Sequence, residues 1–279
     1  MKFSNVNLKL KVLLPTTLLV VLGLAFCVFE MTTIAQDVIV RQTKATAESM
    51  ANSYAQDIHA EYDVNMAIAR SLAAAVTASA NMEPEGDRET LVEIVREVSQ
   101  QHPDLPVVWI ILSPESYDDR AEEYKDIDKG AVWYSATREN GKTIVKRKGP
   151  GKYKGDWFEY PVSTGNEVMT KPYHWEMDGV DRVLVSCSAP VTKNGKVIGV
   201  AGLDMFLDDI IDDIGKITLF ETGYGFLLYN DGDIVAHKDP EQIGKNIKEF
   251  ASATVAQAVK EGTSITDESI SAISDKDMF

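Results

Sequence analysis

From Val12 to Phe29 the chain carries no charged residue, and after a single Glu30 the apolar character resumes as far as Ile34. A helix needs about 20 residues to cross the hydrocarbon of a bilayer, so this run predicts a membrane-crossing helix. Lys2, Lys9 and Lys11 precede it. Positive flanks stay in the cytoplasm, which puts the rest of the chain outside. The rival is a cleavable signal peptide, whose apolar core is shorter and ends on small residues; here Phe26, Val28, Phe29 and Met31 fill that region. The expectation is a cytoplasmic tail over 1–11 and a retained anchor over 12–34.

Beyond the anchor, Ala51, Tyr54, Ile58, Tyr62, Met66, Ala69, Ala73 and Val76 recur at steps of three or four, the stripe of one helix. No Pro or Gly interrupts 35–80, so a single spine helix of roughly 65 to 70 Å is expected. It is either a coiled-coil stalk or the spine along which two smaller units hang; its alanine-rich upper part permits close packing on a sheet or on a second copy, and the unbroken run suits a homodimer. Glu83-Pro84-Glu85-Gly86 breaks the chain, Asp87 caps, and Leu91, Ile94, Val95 and Val98 predict a short amphipathic helix ending before His102-Pro103. Strands are expected over Val107–Leu112, Ala131–Thr137 and Thr143–Lys146, the last two joined at Asn140-Gly141. Arg182–Val191 and Lys196–Met205 predict a hairpin turning at Asn194-Gly195, a pair suited to a type I′ turn. A helix over Phe206–Ile217 follows, then strands over Tyr224–Tyr229 and Asp233–His237 and a helical stretch over Ile247–Val259. Without regular βαβ alternation the class is α+β.

Composition narrows the function. An apolar share of 44% and a charged share of 25% are those of a globular chain with one anchor, not of a polytopic membrane protein. A net charge of −15 repels phosphate, which excludes nucleic acid as a partner. Cys27 and Cys187 are the only cysteines and build no disulfide framework. An enzyme finds little support: His59, His102, His174 and His237 lack metal-ligand spacing, and neither a nucleophile elbow nor a phosphate-cradling glycine loop occurs. No cofactor and no metal are expected. All four tryptophans, Trp109, Trp133, Trp157 and Trp175, fall between residues 109 and 175 with six tyrosines, a concentration that suits a ligand box and equally a strand-rich core.

Certain strings carry a resemblance. They are Gly155-Asp156-Trp157-Phe158, Thr170-Lys171-Pro172-Tyr173 with Asp178-Gly179, Ser186 to Pro190, and Gly199-Val200-Ala201-Gly202-Leu203-Asp204 before an acidic helix. Gly223-Tyr224-Gly225, Asp231-Gly232, Ile234-Val235-Ala236-His237 and Ile243-Gly244-Lys245 follow. In this order, behind an apolar run and a long helix, the chain resembles the double Cache domain, the two-lobed extracytoplasmic sensor common in methyl-accepting chemotaxis receptors.

The resemblance implies two PAS-like antiparallel-sheet lobes: a membrane-distal one over 81–217, holding the ligand, and a membrane-proximal one from 218 to 279, incomplete within this sequence. It also implies a second membrane helix and a cytoplasmic output, usually a methyl-accepting region, less often a histidine kinase or nucleotide cyclase. The chain would then be the sensing part of an inner-membrane receptor; the alternative is an anchored scaffold working by protein contacts alone. Trp157, Tyr173 and Asp204 fall on family positions that face ligand, and Trp133, Tyr134, Asp156, Phe158 and Tyr160 complete the candidate set. The best-known amino-acid-binding version of the family has an arginine two positions before the tryptophan, where this chain has Gly155. Rings and carboxylates without that arginine favour an amine or quaternary ammonium ligand over an ordinary amino acid. Entry of Arg138 or Arg182 into the site would restore carboxylate recognition.

Overall fold

The computed structural model of the chain describes residues 8–82, 87–114, 116–125, 129–147, 154–177, 179–220, 222–266, 269–270 and 277–278. The expected break at 83–86, Asp178, and Lys2 in the tail lie outside these residues. The segments expected as anchor and spine lie in one helix, α1 (Leu8–Ala80), with Pro15 inside it. The chain divides into two compact units, residues 54–263 and the remainder. In the second of these, Val12 to Ile39 of α1 are exposed throughout, and this helix alone among the described residues is long and apolar enough to cross a membrane. Ser269–Ile270 pairs there with Asp277–Met278 in a two-residue ladder.

Within residues 54–263, helix α2 (Arg88–Gln101) starts where expected, with the Asp87 carboxylate accepting the Thr90 N–H. Strands β1 (Val107–Leu112), β2 (Val132–Glu139) and β3 (Lys142–Arg147) form a meander. Helix α3 (Asp156–Thr164) follows, then β4 (Val168–Met169), β5 (Tyr173–Met177), β6 (Val180–Lys193) and β7 (Lys196–Phe206). These strands make one antiparallel sheet of order β3-β2-β1-β7-β6-β4, with β5 also paired to β6. Both Asn-Gly turns hold positive φ at Asn and Gly, as type I′ geometry demands.

β1 is interior to the sheet and apolar on both faces. Val108, Ile110 and Leu112 pack with Met66, Ala69, Leu72, Ala73 and Val76 of α1 and Leu91 and Val95 of α2. Each of the Val, Leu, Ile and Met side chains among these contributes roughly 1.5 to 3 kcal/mol by leaving water. Polar contacts fix the end of α1: Thr77 Oγ1 accepts the Thr192 N–H at 3.1 Å, while Asn81 donates to the Thr192 carbonyl at 3.0 Å and accepts from Asn194 N at 2.9 Å. α2 is tied by Arg88, buried and forked onto Asp118 with both bonds at 2.8 Å. The Tyr124 ring lies 4.1 Å from the guanidinium carbon of Arg88 and 4.1 Å from that of Arg147.

After β7 come α4 (Asp208–Lys216), β8 (Thr218–Leu219), β9 (Gly223–Tyr224), β10 (Phe226–Leu228), β11 (Ile234–His237) and α5 (Ala253–Glu261). β8 pairs β9 and β10 pairs β11, so this smaller region consists of two short ladders. The α+β class holds. One expectation does not. The helix expected over Ile247–Val259 is a 3₁₀ turn, Ile247–Glu249, and a separate α5, because Ser252 caps a new start by accepting the Val255 N–H. α3 had not been expected: Gly155 precedes it at φ +130°, and Gly165 ends it in the left-handed region.

Candidate ligand-binding site

Period-two alternation sends Val107, Trp109 and Ile111 of β1 to the face away from α1, beside Trp133 and Ser135 of β2, Val200, Gly202 and Asp204 of β7, and Ser186 and Ser188 of β6. Helix α3 packs on that face through Trp157 and Phe158. Trp157 meets Trp109 edge to face, centroids 5.4 Å apart at 79°, and Phe158 at 5.7 Å. Such ring pairs contribute about 0.5 to 1.5 kcal/mol beyond the area they bury.

Gly202 lets the Trp109 indole lie across β7: a Cβ there would stand 2.5 Å from Trp109 Cζ2 and 2.5 Å from the Cys187 carbonyl oxygen. The indole thereby reaches Asp204, its Nε1 donating to Oδ1 at 3.0 Å, while Ser186 Oγ donates to the same oxygen at 2.6 Å. With its proton so engaged, Ser186 accepts from the Tyr173 hydroxyl at 2.9 Å. Both of these bonds to Asp204 end on Oδ1. Asp204 is mostly buried but not sealed. Burial pushes its carboxyl up to about 6, against the pull of the Ser186 and Trp109 hydrogen bonds. Burial, with Asp204's charge beside it, pushes the Tyr173 phenol up to about 12. Ser135 and Ser188 are buried on the same face, and neither hydroxyl has a hydrogen-bond partner among the described residues.

Five of the eight candidate residues are therefore brought together: Trp133, Trp157, Phe158, Tyr173 and Asp204. Tyr134 is not among them. It faces the opposite side of the sheet, in the core under α1 and α2, with Arg147 5.7 Å from its ring. Asp156 and Tyr160 belong to α3 but are exposed. Trp109, Ser135, Ser186, Ser188 and Gly202 join the site without having been candidates. The signal for the serines was their alternation with Val185, Cys187 and Ala189 along β6. Neither arginine that could restore carboxylate recognition is engaged here: Arg138 donates to the Ser99 carbonyl on the α2 side at 2.8 Å, and Arg182 pairs with Asp208 at 2.9 Å. The arrangement brings aromatic rings and one carboxylate to the same face of the sheet.

The Cache domain family matches residues 31–277. Among solved structures, the extracellular domain of the histidine kinase candidate mmHK1S-Z2 superposes with a TM-score of 0.71 at 28% identity, covering 84% of this chain and 89% of that one. Methyl-accepting Chemotaxis protein X shares the fold at 23% identity and a TM-score of 0.61. Methyl-accepting chemotaxis protein McpA of Pseudomonas putida is 29% identical over 96 residues, 34% of this chain and 14% of the relative. TlpQ of Pseudomonas aeruginosa, also a methyl-accepting chemotaxis protein, is 23% identical over 200 residues, 59% of this chain and 28% of the relative. The chain thus spans only a small part of the curated relatives it matches. A sheet with its aromatic site, a long helix and a family match over nearly the whole sequence have one conclusion: the chain belongs to the Cache family of ligand-binding sensor domains, in the double Cache form found in chemotaxis receptors.

Proposed function

We propose that this chain is the extracytoplasmic small-molecule sensor of a transmembrane receptor, anchored by the apolar part of α1. It binds its ligand, without transforming it, on the α3 face of the seven-stranded sheet. On this reading that sheet is the membrane-distal lobe, and β8 to β11 begin the proximal one. The output is chemotaxis signalling, in keeping with the curated relatives; a histidine kinase output is the second reading, favoured by the 28% identity to the mmHK1S-Z2 domain.

The observation that carries the ligand class is Asp204, held by Ser186 and Trp109 at the foot of an aromatic face from which Arg138 and Arg182 are diverted. A carboxylate with a spare oxygen recognises a cation, and each well-placed ring adds roughly 0.5 to 2 kcal/mol of cation–π attraction. The ligand is accordingly an amine or quaternary ammonium compound, with an amino acid bound through its ammonium as the nearest relative of that class. Calorimetry on the full chain in nanodiscs, against amines, betaines, amino acids and dicarboxylates, tests this. The expected result is binding of the cationic compounds, lost in Asp204→Asn and weakened in Trp157→Ala. Binding of dicarboxylates alone, or undiminished binding in both variants, overturns it.

A further inference from the structure

A second group of side chains, in the smaller region, is built like a site and is used by nothing described so far. His237 ends β11 and is only 5% exposed. Its Nδ1 accepts the Asp239 N–H at 2.9 Å, a shorter contact than the 3.2 Å to the Asp239 carbonyl oxygen, so in the neutral ring the proton is assigned to Nε2. That Nε2 is buried with no hydrogen-bond partner among the described residues. Burial also holds the imidazole below its ordinary pKa, which keeps the ring neutral and Nε2 a donor. A buried donor without an acceptor is rare in a finished protein interior and calls for one.

The surroundings define the acceptor. The Tyr224 ring stands edge-on to His237 at 5.0 Å and Phe226 lies at 5.9 Å. Lys238, exposed and without an ion-pair partner among the described residues, holds its ammonium 3.8 Å from the Tyr224 centroid. The Asp239 carboxylate is turned elsewhere, accepting from Glu241 N and Gln242 Nε2 at 3.1 Å each. The group therefore presents two aromatic rings, one inward N–H and one cation at the rim. We propose that Tyr224, Phe226, His237 and Lys238 form a second small-molecule site, for a small monocarboxylate with an apolar or aromatic tail. One carboxylate oxygen accepts the Nε2 proton, the other faces Lys238, and the tail lies along Tyr224 and Phe226. Phe226, 37% exposed, is the outermost ring and rotates to admit the ligand. The charge requirement is opposite to that of the Asp204 site, so the two are separable.

The test uses the full chain in nanodiscs with benzoate and butyrate as probes, benzamide as the neutral isostere, and thermal shift and calorimetry as readouts. Benzoate is expected to bind at least about tenfold more tightly than benzamide. His237→Phe and Lys238→Met are each expected to weaken benzoate by about tenfold, while Asp204→Asn leaves it unchanged. Lys238 is at the surface, so its variant decides the matter where His237→Phe does not fold. The proposal is overturned if neither probe binds, if benzamide binds as well as benzoate, or if Lys238→Met retains full affinity. A loss of benzoate binding in Asp204→Asn would put the anion in the other site and overturn it equally.

Discussion

Asp204 shows what a single buried group imposes. Its carboxyl titrates near 6 in the folded chain, above the ordinary value of 3.8, because burial disfavours the charge. Between pH 4 and 6 the folded state then binds more protons than the unfolded one. Its contribution to stability is full below about pH 4 and is lost as pH rises through 6. Stability is expected to fall from pH 5 to 7 in the native chain more than in Asp204→Asn, by about 1 to 1.5 kcal/mol, as melting curves at the two pH values would register. A cationic ligand needs the charged form, so its affinity is expected to rise over the same interval and level off above pH 6, as calorimetry at several pH values would register. Gly202 is the second such residue. Gly202→Ala drives a methyl into Trp109 and the Cys187 carbonyl, with an expected loss of about 1 to 3 kcal/mol in denaturant unfolding and a displaced indole visible in tryptophan fluorescence. Neighbouring Trp133 and Tyr134 illustrate how far the residue scale was legible. Period two already forbids both from facing one ligand, and the aromatic count alone could not choose between them.

Among the elements, those with strong local signals were readable. The β6–β7 turn follows from Asn194-Gly195, where positive φ is inexpensive, and α2 follows from its Asp87 cap and apolar stripe. α3 was not readable. Nine residues with three aromatics and Pro161 inside have little helix propensity of their own, and the helix persists because Trp157 and Phe158 dock on the sheet. The same logic ranks ion pairs between elements. Arg88→Met leaves Asp118 without its partner in a largely buried setting, and unfolding experiments should show a loss of about 3 to 5 kcal/mol. Arg70 and Glu167 form an equally good fork between α1 and the α3–β4 connection, but both are well exposed, and Arg70→Ala is expected to cost under about 1 kcal/mol.

For the whole molecule, the proposed topology puts residues 1–11 inside the cell and the two ladder regions outside. Protease added to intact cells should remove the outer part and spare the anchor; a mature N-terminus near Gln36 would sink the retained-anchor reading. In a membrane-bound homodimer, cysteines replacing Tyr54 or Ile58 should crosslink between chains at a rate that ligand changes, and strictly monomeric behaviour would end that proposal. The long apolar helix, the sheet and its hairpins are written plainly in hydropathy and turn residues. Which face of the sheet receives the ligand is not, because it depends on where a helix with no sequence signal of its own comes to rest.

The clamp between the end of α1 and the β6–β7 turn also sets an order in time. Thr77 and Asn81 wait for partners 115 and 111 residues further along the chain. At ribosomal rates of about 5 to 20 residues per second, that is a delay of roughly 6 to 23 s. For that interval the stripe Met66, Ala69, Leu72, Ala73 and Val76 has only α2 and β1 to cover it, and its remaining partners on β6 and β7 arrive last, which leaves one stretch of helix half-covered and open to a wrong partner while the chain is still being made.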